Sequence, residues 1–520
     1  MNRTFRIAAF VLLLVLVAAA CGSRVVPLDA GLLGQGQPTA NPTSTTTAVP
    51  TATGTVGGPN GVNQIPGIQG PGSNPNCRGG ATDKGVTAST IKVGMISAKT
   101  GSFPGQFDPN IEAVDAYLKL VNSQGGICNR KFQLFIRDDQ GVKANNQTAA
   151  LELAKEIGVF AFVGSISAPD TDGPTAETAQ QYGIPDIGFP LSYERSRGKL
   201  TYGVPGQLQP HLIGVAASGS EYVNRINGIK QVAVFSVGES LVSKANAWAF
   251  QAAMLKSSEA YPTGQVTICF EQEANVFDNN FNSYANRMSG QCPPSKGPLA
   301  VYTTMENFNN IKLADAMLSQ NVEHDVYAPT FTSYLPSFLR DETGKPRKST
   351  EGAYMAMPQI PFERCAGFDS KGRPVPPCSH PELDRYVSAL RRFVPGFKVP
   401  GSFGAPGWGQ AALFVQAVSA CGANLTRKCV LKNVDSLPSF SANGFLSPTR
   451  PSEHVIYSSD LLVQVRNGKF VELRPNDKSG PAGAPDFWDK SHLFNWWEYF
   501  CANQLKFPNA DEIRDFVTTC

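Results

Sequence analysis

The chain is poor in histidine, in net charge and in any residue spacing that would hold a metal. Its 5 histidines, His211, His324, His380, His454 and His492, stand singly among 520 residues, and no C-x-x-C occurs. Neither a metal site nor a cofactor is therefore expected. The formal net charge of +3 is small for this length. No basic run with interleaved aromatics is present, so no nucleic-acid partner is expected. The G-x-S-x-G elbow, H-E-x-x-H and the S-x-x-K…S-D-N set are missing as well. Asp138-Asp139 follows a strand-like run, but adjacent residues on extended backbone point to opposite faces. The pair reads as turn and cap residues before a helix from Asn145, not as a carboxylate dyad, and no enzyme is expected. Past the leader no stretch is long and apolar enough to cross a bilayer.

Cysteine, by contrast, is present in an odd number, 11, so not all can pair with one another. The chain opens MNRTFRIAAFVLLLVLVAAACGS. Residues 1–20 read as a signal peptide: Arg3 and Arg6 start it, and the apolar run Ile7 to Ala20 is too short for a comfortable span. Ala18, Ala19 and Ala20 directly before Cys21 resemble a bacterial lipobox, with Ala18 where Leu is usual. That resemblance implies a diacylated Cys21, and an anchor of two chains holds stably to a membrane. The alternative is ordinary secretion with Cys21 incidental. Setting Cys21 aside leaves ten cysteines, which in an exported chain read as a disulfide framework. Pairing of neighbours is expected: Cys77–Cys128, Cys269–Cys292, Cys365–Cys378, Cys421–Cys429 and Cys501–Cys520.

Residues 21–76 are rich in Pro, Thr, Gly and Asn and offer no core. This predicts a disordered tether, averaging roughly 40 Å end to end as a coil. The remainder is long enough for two lobes with separate cores. Short apolar runs alternate there with amphipathic segments. IKVGMIS (91–97) is followed by a helix in which Ile111, Val114, Tyr117, Leu118 and Val121 form one stripe, with Asp108 as its cap. FQLFIRD, VFAFVGS and IPDIGF continue the set. A second set begins with a helix over HLIGVAASGSEYVNRING, then QVAVFSV, QVTICF and PLAVYTT with their helices. Nearly continuous apolar strands separated by helices imply parallel sheets covered on both faces, hence an α/β fold of two doubly wound, Rossmann-like lobes. Near the end, HVIYSSDLLVQVRNGKFVEL alternates around Asn467-Gly468, a hairpin signal.

Four stretches in order, IKVGMISAKTG, RDDQGVKANNQTAALELAKEIGVFAFVGSISAP, YGIPDIGFPLS and LVQVRNGKFV, resemble the type I periplasmic binding proteins, in particular the branched-chain amino acid and amide group of ABC-importer receptors. The resemblance spans roughly residues 85–475. It implies two hinged lobes, here 85–205 with 336–455 and 206–335 with 456–490; the aromatic, cysteine-bearing tail, 491–520, has no counterpart in the resemblance. It also implies a small-molecule ligand in the cleft and an ABC permease as partner, on the extracytoplasmic face of a cell membrane. A surface receptor or envelope scaffold of the same fold, without transport, is the alternative.

Several turns are implied as ligand contacts. The first holds Ser102, Phe103 and Gln106. Ser165 and Ser167 follow at a strand end, where hydroxyls and a helix N-terminus suit a carboxylate. Leu191 and Ser192 sit at the next strand end. From the second lobe come Gln207, Gln209, Thr304, Met305, Thr332 and Tyr334. Relatives that bind amino acids carry acids near the Gln209 and Thr332 positions for the ligand's ammonium. This chain has none there, which favours an organic acid, an amide or an aromatic acid at least equally. Glu239 or Glu306 would restore the charge if the alignment shifts by a few residues.

Overall fold

Five parallel strands, β1 (Thr90–Ser97), β2 (Lys131–Asp138), β3 (Ala161–Val163), β4 (Asp186–Gly188) and β5 (Thr201–Gly203), form a sheet in the order β2-β1-β3-β4-β5. The molecule is described here by a computed structural model covering residues 77–207, 212–213, 223–224, 226–260, 266–456, 459–473 and 494–502. The leader, Cys21, the tether, Gln209 and Cys520 lie outside these residues.

Successive side chains of a strand point to opposite faces, and both faces of this sheet are apolar. Val93 and Met95 pack with helix α1 (Asp108–Ser123), while Ile96 and Phe162 pack with α2 (Lys143–Glu152) and α3 (Gly173–Tyr182). The stripe Ile111, Val114, Tyr117, Leu118 and Val121 is buried as its spacing predicts. Asp108 is not the cap, however. Phe107 occupies that position and no side chain caps the helix. Phe107 is instead held by packing, its ring 5.2 Å from that of Phe403, and Asp108 places a carboxylate in the first turn, where the helix dipole favours it.

β6 (Leu212–Ile213) leads into the second sheet, β7 (Gln231–Val237), β8 (Thr267–Ala274), β9 (Leu299–Thr303) and β10 (Val326–Ala328), all parallel in the order β10-β9-β7-β8. Val232 and Val234 pack with α4 (Leu241–Ala260). Ala233 and Phe235 pack with α5 (Phe281–Gln291) and α6 (Asn307–Ser319). β11 (Tyr354–Met357) comes next, then the hairpin of β12 (Cys365–Phe368) and β13 (Pro374–Cys378).

The chain then returns to the first sheet through α7 (Pro381–Phe393), α8 (Gly401–Cys421) and α9 (Arg427–Asp435). α8 lies close against α1. Tyr117 and Trp408 meet with ring centroids 4.5 Å apart, and a Cβ on Gly407 would stand 2.5 Å from the Asn110 carbonyl oxygen. β14 (Leu461–Arg466) and β15 (Lys469–Leu473) form the expected hairpin, with Asn467 and Gly468 at φ 52° and 66°, as a tight primed turn requires.

Two further expectations differ from what is seen. Leu212–Ile213, expected in a helix, is extended and pairs antiparallel with β16 (Phe494–Asn495) of the tail. The tail supplies the hydrogen bonds that a helix would have made internally, and its Trp497 is buried with Trp248 in the second lobe's core. Residues 336–357, allotted to the first lobe, pack with the second. β11 pairs antiparallel with β14, Tyr354 shares a core with Val232, and Phe338 stacks near Tyr327 of β10.

The cysteines pair as neighbours: Cys77–Cys128, Cys269–Cys292, Cys365–Cys378 and Cys421–Cys429. Cys501 is disulfide-bonded, while Cys520, its expected partner, lies outside the described residues.

Candidate ligand-binding cleft

Residues just beyond the carboxyl ends of strands from both sheets line one cavity of about 520 Å³, within the range of small-molecule sites, ~300–1,000 Å³. β1 lies between β2 and β3, and β7 between β8 and β9. Those are the switch points where open α/β sheets leave a crevice. The first lobe contributes Ser102, Phe103 and Gln106 after β1, Ala168 and Pro169 after β3, and Phe189 and Leu191 after β4. The second contributes Glu239 and Ser240 after β7, Phe277 after β8, Thr304, Met305 and Glu306 after β9, and Thr330 to Thr332 after β10.

The turn after β1 is braced from beneath. The Asp138 carboxylate accepts from the Lys99 N–H at 3.0 Å and the Thr100 hydroxyl at 2.7 Å. Asp139 accepts from the Gly141 N–H at 3.0 Å and from Asn146 at 2.7 Å. The acidic pair thus serves the turns on either side of it.

One wall is aromatic. Phe403, from the start of α8, lies 5.2 Å from Phe107, 5.7 Å from Phe189 and 6.2 Å from Phe331, centroid to centroid. Phe189 and Phe331 come from opposite lobes and stand 6.5 Å apart. Phe403 and Phe331 were not foreseen. Phe403 is marked in the sequence only by its aromatic side chain, since α8 is remote in sequence from every strand end, whereas Phe331 lies just after β10 beside the expected Thr332.

The serines expected to cradle a carboxylate are elsewhere engaged. Ser165, Ser167 and Ser192 are buried and do not line the cavity. The Ser165 hydroxyl accepts from the Ile96 N–H at 3.1 Å, and that of Ser167 pairs with Thr171 at 3.1 Å. Ser192 donates to Asp172 at 2.5 Å and accepts from the Arg195 N–H at 3.2 Å, capping a short helical turn. Behind them the fully buried Arg195 grips Asp186 through two bonds of 2.7 and 3.0 Å and Asp172 through one of 3.0 Å. An ion cluster of this kind claims nearby hydroxyls, because every buried polar atom must find a partner.

Ser102, Phe103, Gln106, Leu191, Gln207, Thr304, Met305 and Thr332 do reach the wall. The Gln207 amide is turned inward, accepting from the Gly203 N–H at 3.1 Å. The hydroxyls of Thr304 and Thr332 donate to the carbonyls of Ser243 at 2.8 Å and Met305 at 3.1 Å. Tyr334 is buried behind the wall, donating to Glu363 at 2.5 Å. Gln209 lies outside the described residues.

The charged side chains lining the cavity, among the described residues, are Glu239 and Glu306. Glu239 is exposed at the rim and accepts from the Val276 N–H at 3.3 Å. Glu306 is 8% exposed and its Oε1 has no hydrogen-bond partner. Its carboxyl does not cap α6, which it immediately precedes. Burial raises this carboxyl to about 7 against a hydrogen bond from its own backbone N–H, with a smaller push up from Glu239 and a smaller pull down from Lys312.

The profile of the periplasmic binding protein family matches residues 90–469. Among solved structures, a leucine-binding protein from Thermotoga maritima is 14% identical, with a TM-score of 0.56 over 74% of this chain and 98% of its own. A fatty acid ABC transporter substrate-binding protein from Thermomonospora curvata is 16% identical, with a TM-score of 0.57 over 80% of this chain and 95% of its own. A solute-binding protein of an ABC transporter from R. palustris, in complex with 4-hydroxybenzoate, is 14% identical, with a TM-score of 0.58 over 77% and 97%. No curated protein matches the chain significantly. Among the described residues no helix is long and apolar enough to cross a membrane.

Proposed function

The chain belongs to the periplasmic binding protein family, and from that premise we propose that it is an extracytoplasmic, lipid-anchored receptor that captures a small solute and delivers it to an ABC permease. The observation that carries this reading is the cavity itself. Both lobes contribute to its wall, and Phe189 and Phe331 approach from opposite sides. A ligand contacting both lobes binds the closed arrangement better than an open one and so shifts the population towards it. The permease would then read the closed shape. Ser102, Phe103, Gln106, Leu191, Thr304, Met305 and Thr332 are the proposed contacts. The relatives named above take leucine, a fatty acid and 4-hydroxybenzoate, which share an apolar body, and the aromatic wall here suits such a body.

The test is a thermal-shift screen of the purified chain against amino acids, amides, amines, organic acids and aromatic acids. A ligand binding only the native state stabilises it by about 2.7 kcal/mol at a hundredfold excess over Kd. Saturable stabilisation by one class supports capture, and uptake lost on deleting the receptor in its host supports delivery. A midpoint that no compound moves counts against the reading.

A further inference from the structure

We propose that the captured solute is a cation: a protonated amine carried on an apolar, preferably aromatic, body and lacking a carboxylate. This rests on the solute-binding reading and deepens it.

Three observations converge. First, Glu239 and Glu306 are both acidic, and no Lys, Arg or His joins them on the cavity wall among the described residues. A carboxylate entering would meet two acidic groups and no cation on that wall, whereas an ammonium would find two acceptors of opposite sign once they ionise. Second, Glu306 is 8% exposed and its Oε1 is unpartnered. A buried acceptor without a donor is costly, and here a ligand N–H is the group that would relieve it. The same carboxyl, held near 7 by burial, would be driven to ionise by an ammonium beside it. Third, the hydroxyls that would hold a ligand carboxylate, those of Ser165 and Ser192, are bonded within the first lobe and do not reach the cavity. The Leu191 N–H at the same strand end is also taken, donating to Asp172 at 3.0 Å. On the same cavity wall, Phe103, Phe189, Phe331 and Phe403 offer ring faces and edges. Such rings hold an apolar body and attract a cation that lies over a face.

Three probes on one carbon frame separate the charges: 2-phenylethylamine carries the amine alone, phenylalanine both groups, and 3-phenylpropionate the carboxylate alone. Each is titrated into the full chain, calorimetrically and by melting midpoint, alongside a panel of other aryl and alkyl amines. The expected result is binding by amines in preference to phenylalanine, and none by the acid. Glu306→Gln, which keeps the shape and removes the charge, should weaken amine binding roughly 10- to 100-fold. Glu239→Gln at the rim should weaken it only a few-fold. The proposal is overturned if phenylalanine or phenylpropionate binds more tightly than the amine, or if Glu306→Gln leaves amine affinity unchanged. It is also overturned if amines fail while uncharged or acidic compounds bind, an outcome that leaves solute capture standing. Failure of every compound in every class removes both readings.

Discussion

Asp170, in the loop after β3, accepts a hydrogen bond from the backbone N–H of Leu241, the first residue of α4, at 2.9 Å. The Ser240 hydroxyl donates to the same oxygen at 3.3 Å. A carboxylate of the first lobe thus sits on a helix N-terminus of the second. There the free N–H groups and the helix dipole both favour negative charge. This bond joins the two lobes at the mouth of the cleft.

The same carboxylate is desolvated by its burial there. Burial pushes Asp170 up from 3.8 to about 6, against the pull of the Leu241 N–H and with a smaller push from Glu194. A carboxyl raised in the folded state contributes most to stability below its ordinary value and loses that contribution as pH rises through about 6. Asp170→Asn keeps an acceptor and discards the charge. Its melting midpoint should exceed that of the natural protein at pH 7–8 and converge with it near pH 4. The ceiling on the difference is about 3 kcal/mol. A difference that stays constant across pH would count against this account.

Arg195 is fully buried and answers two buried carboxylates, Asp172 and Asp186. Arg195→Met should cost roughly 3–5 kcal/mol in denaturant unfolding, because both acids lose their partner. Arg195→Lys should recover little, since an ammonium cannot reproduce the fork that grips Asp186. Full recovery by lysine would show that charge alone sufficed.

The disulfides close loops of very different length. Cys77 and Cys128 are 51 residues apart, Cys421 and Cys429 only 8. Loop-closure entropy predicts losses of about 4 and about 2.5 kcal/mol for the two double-serine variants. Equal losses by equilibrium unfolding would point to strain or residual unfolded structure as the larger effect.

Lipidation at Cys21 predicts that the protein, made in its host with an alkyne-bearing fatty acid, carries the label in the membrane fraction. Cys21→Ser should lose the label. Label retained by that variant would place the acyl chains on another residue.

The strands, most helices and the pairing of neighbouring cysteines were legible in the sequence. Ile111 to Val121 recur at helical spacing, and the runs around Val93 and Val234 are apolar without alternation, as sheets covered on both faces require. The turn Asn467-Gly468 was equally plain, because few residues adopt its backbone angles without strain. What the linear pattern could not carry was pairing over long range. Leu212–Ile213 is a strand only because Phe494–Asn495 lies beside it. β11 belongs to the second lobe only because β14 returns to it from more than a hundred residues on. The cleft was divided in the same way. Ser102 and Thr332 reach the wall because the turns after β1 and β10 carry them there. Ser165 and Ser192 do not, because their hydroxyls are already bonded behind it, to the Ile96 N–H and to Asp172. Sequence names the groups that can form hydrogen bonds, but only the folded arrangement decides which already have partners. Glu306, buried at the cavity with its Oε1 unpartnered, is visible only there.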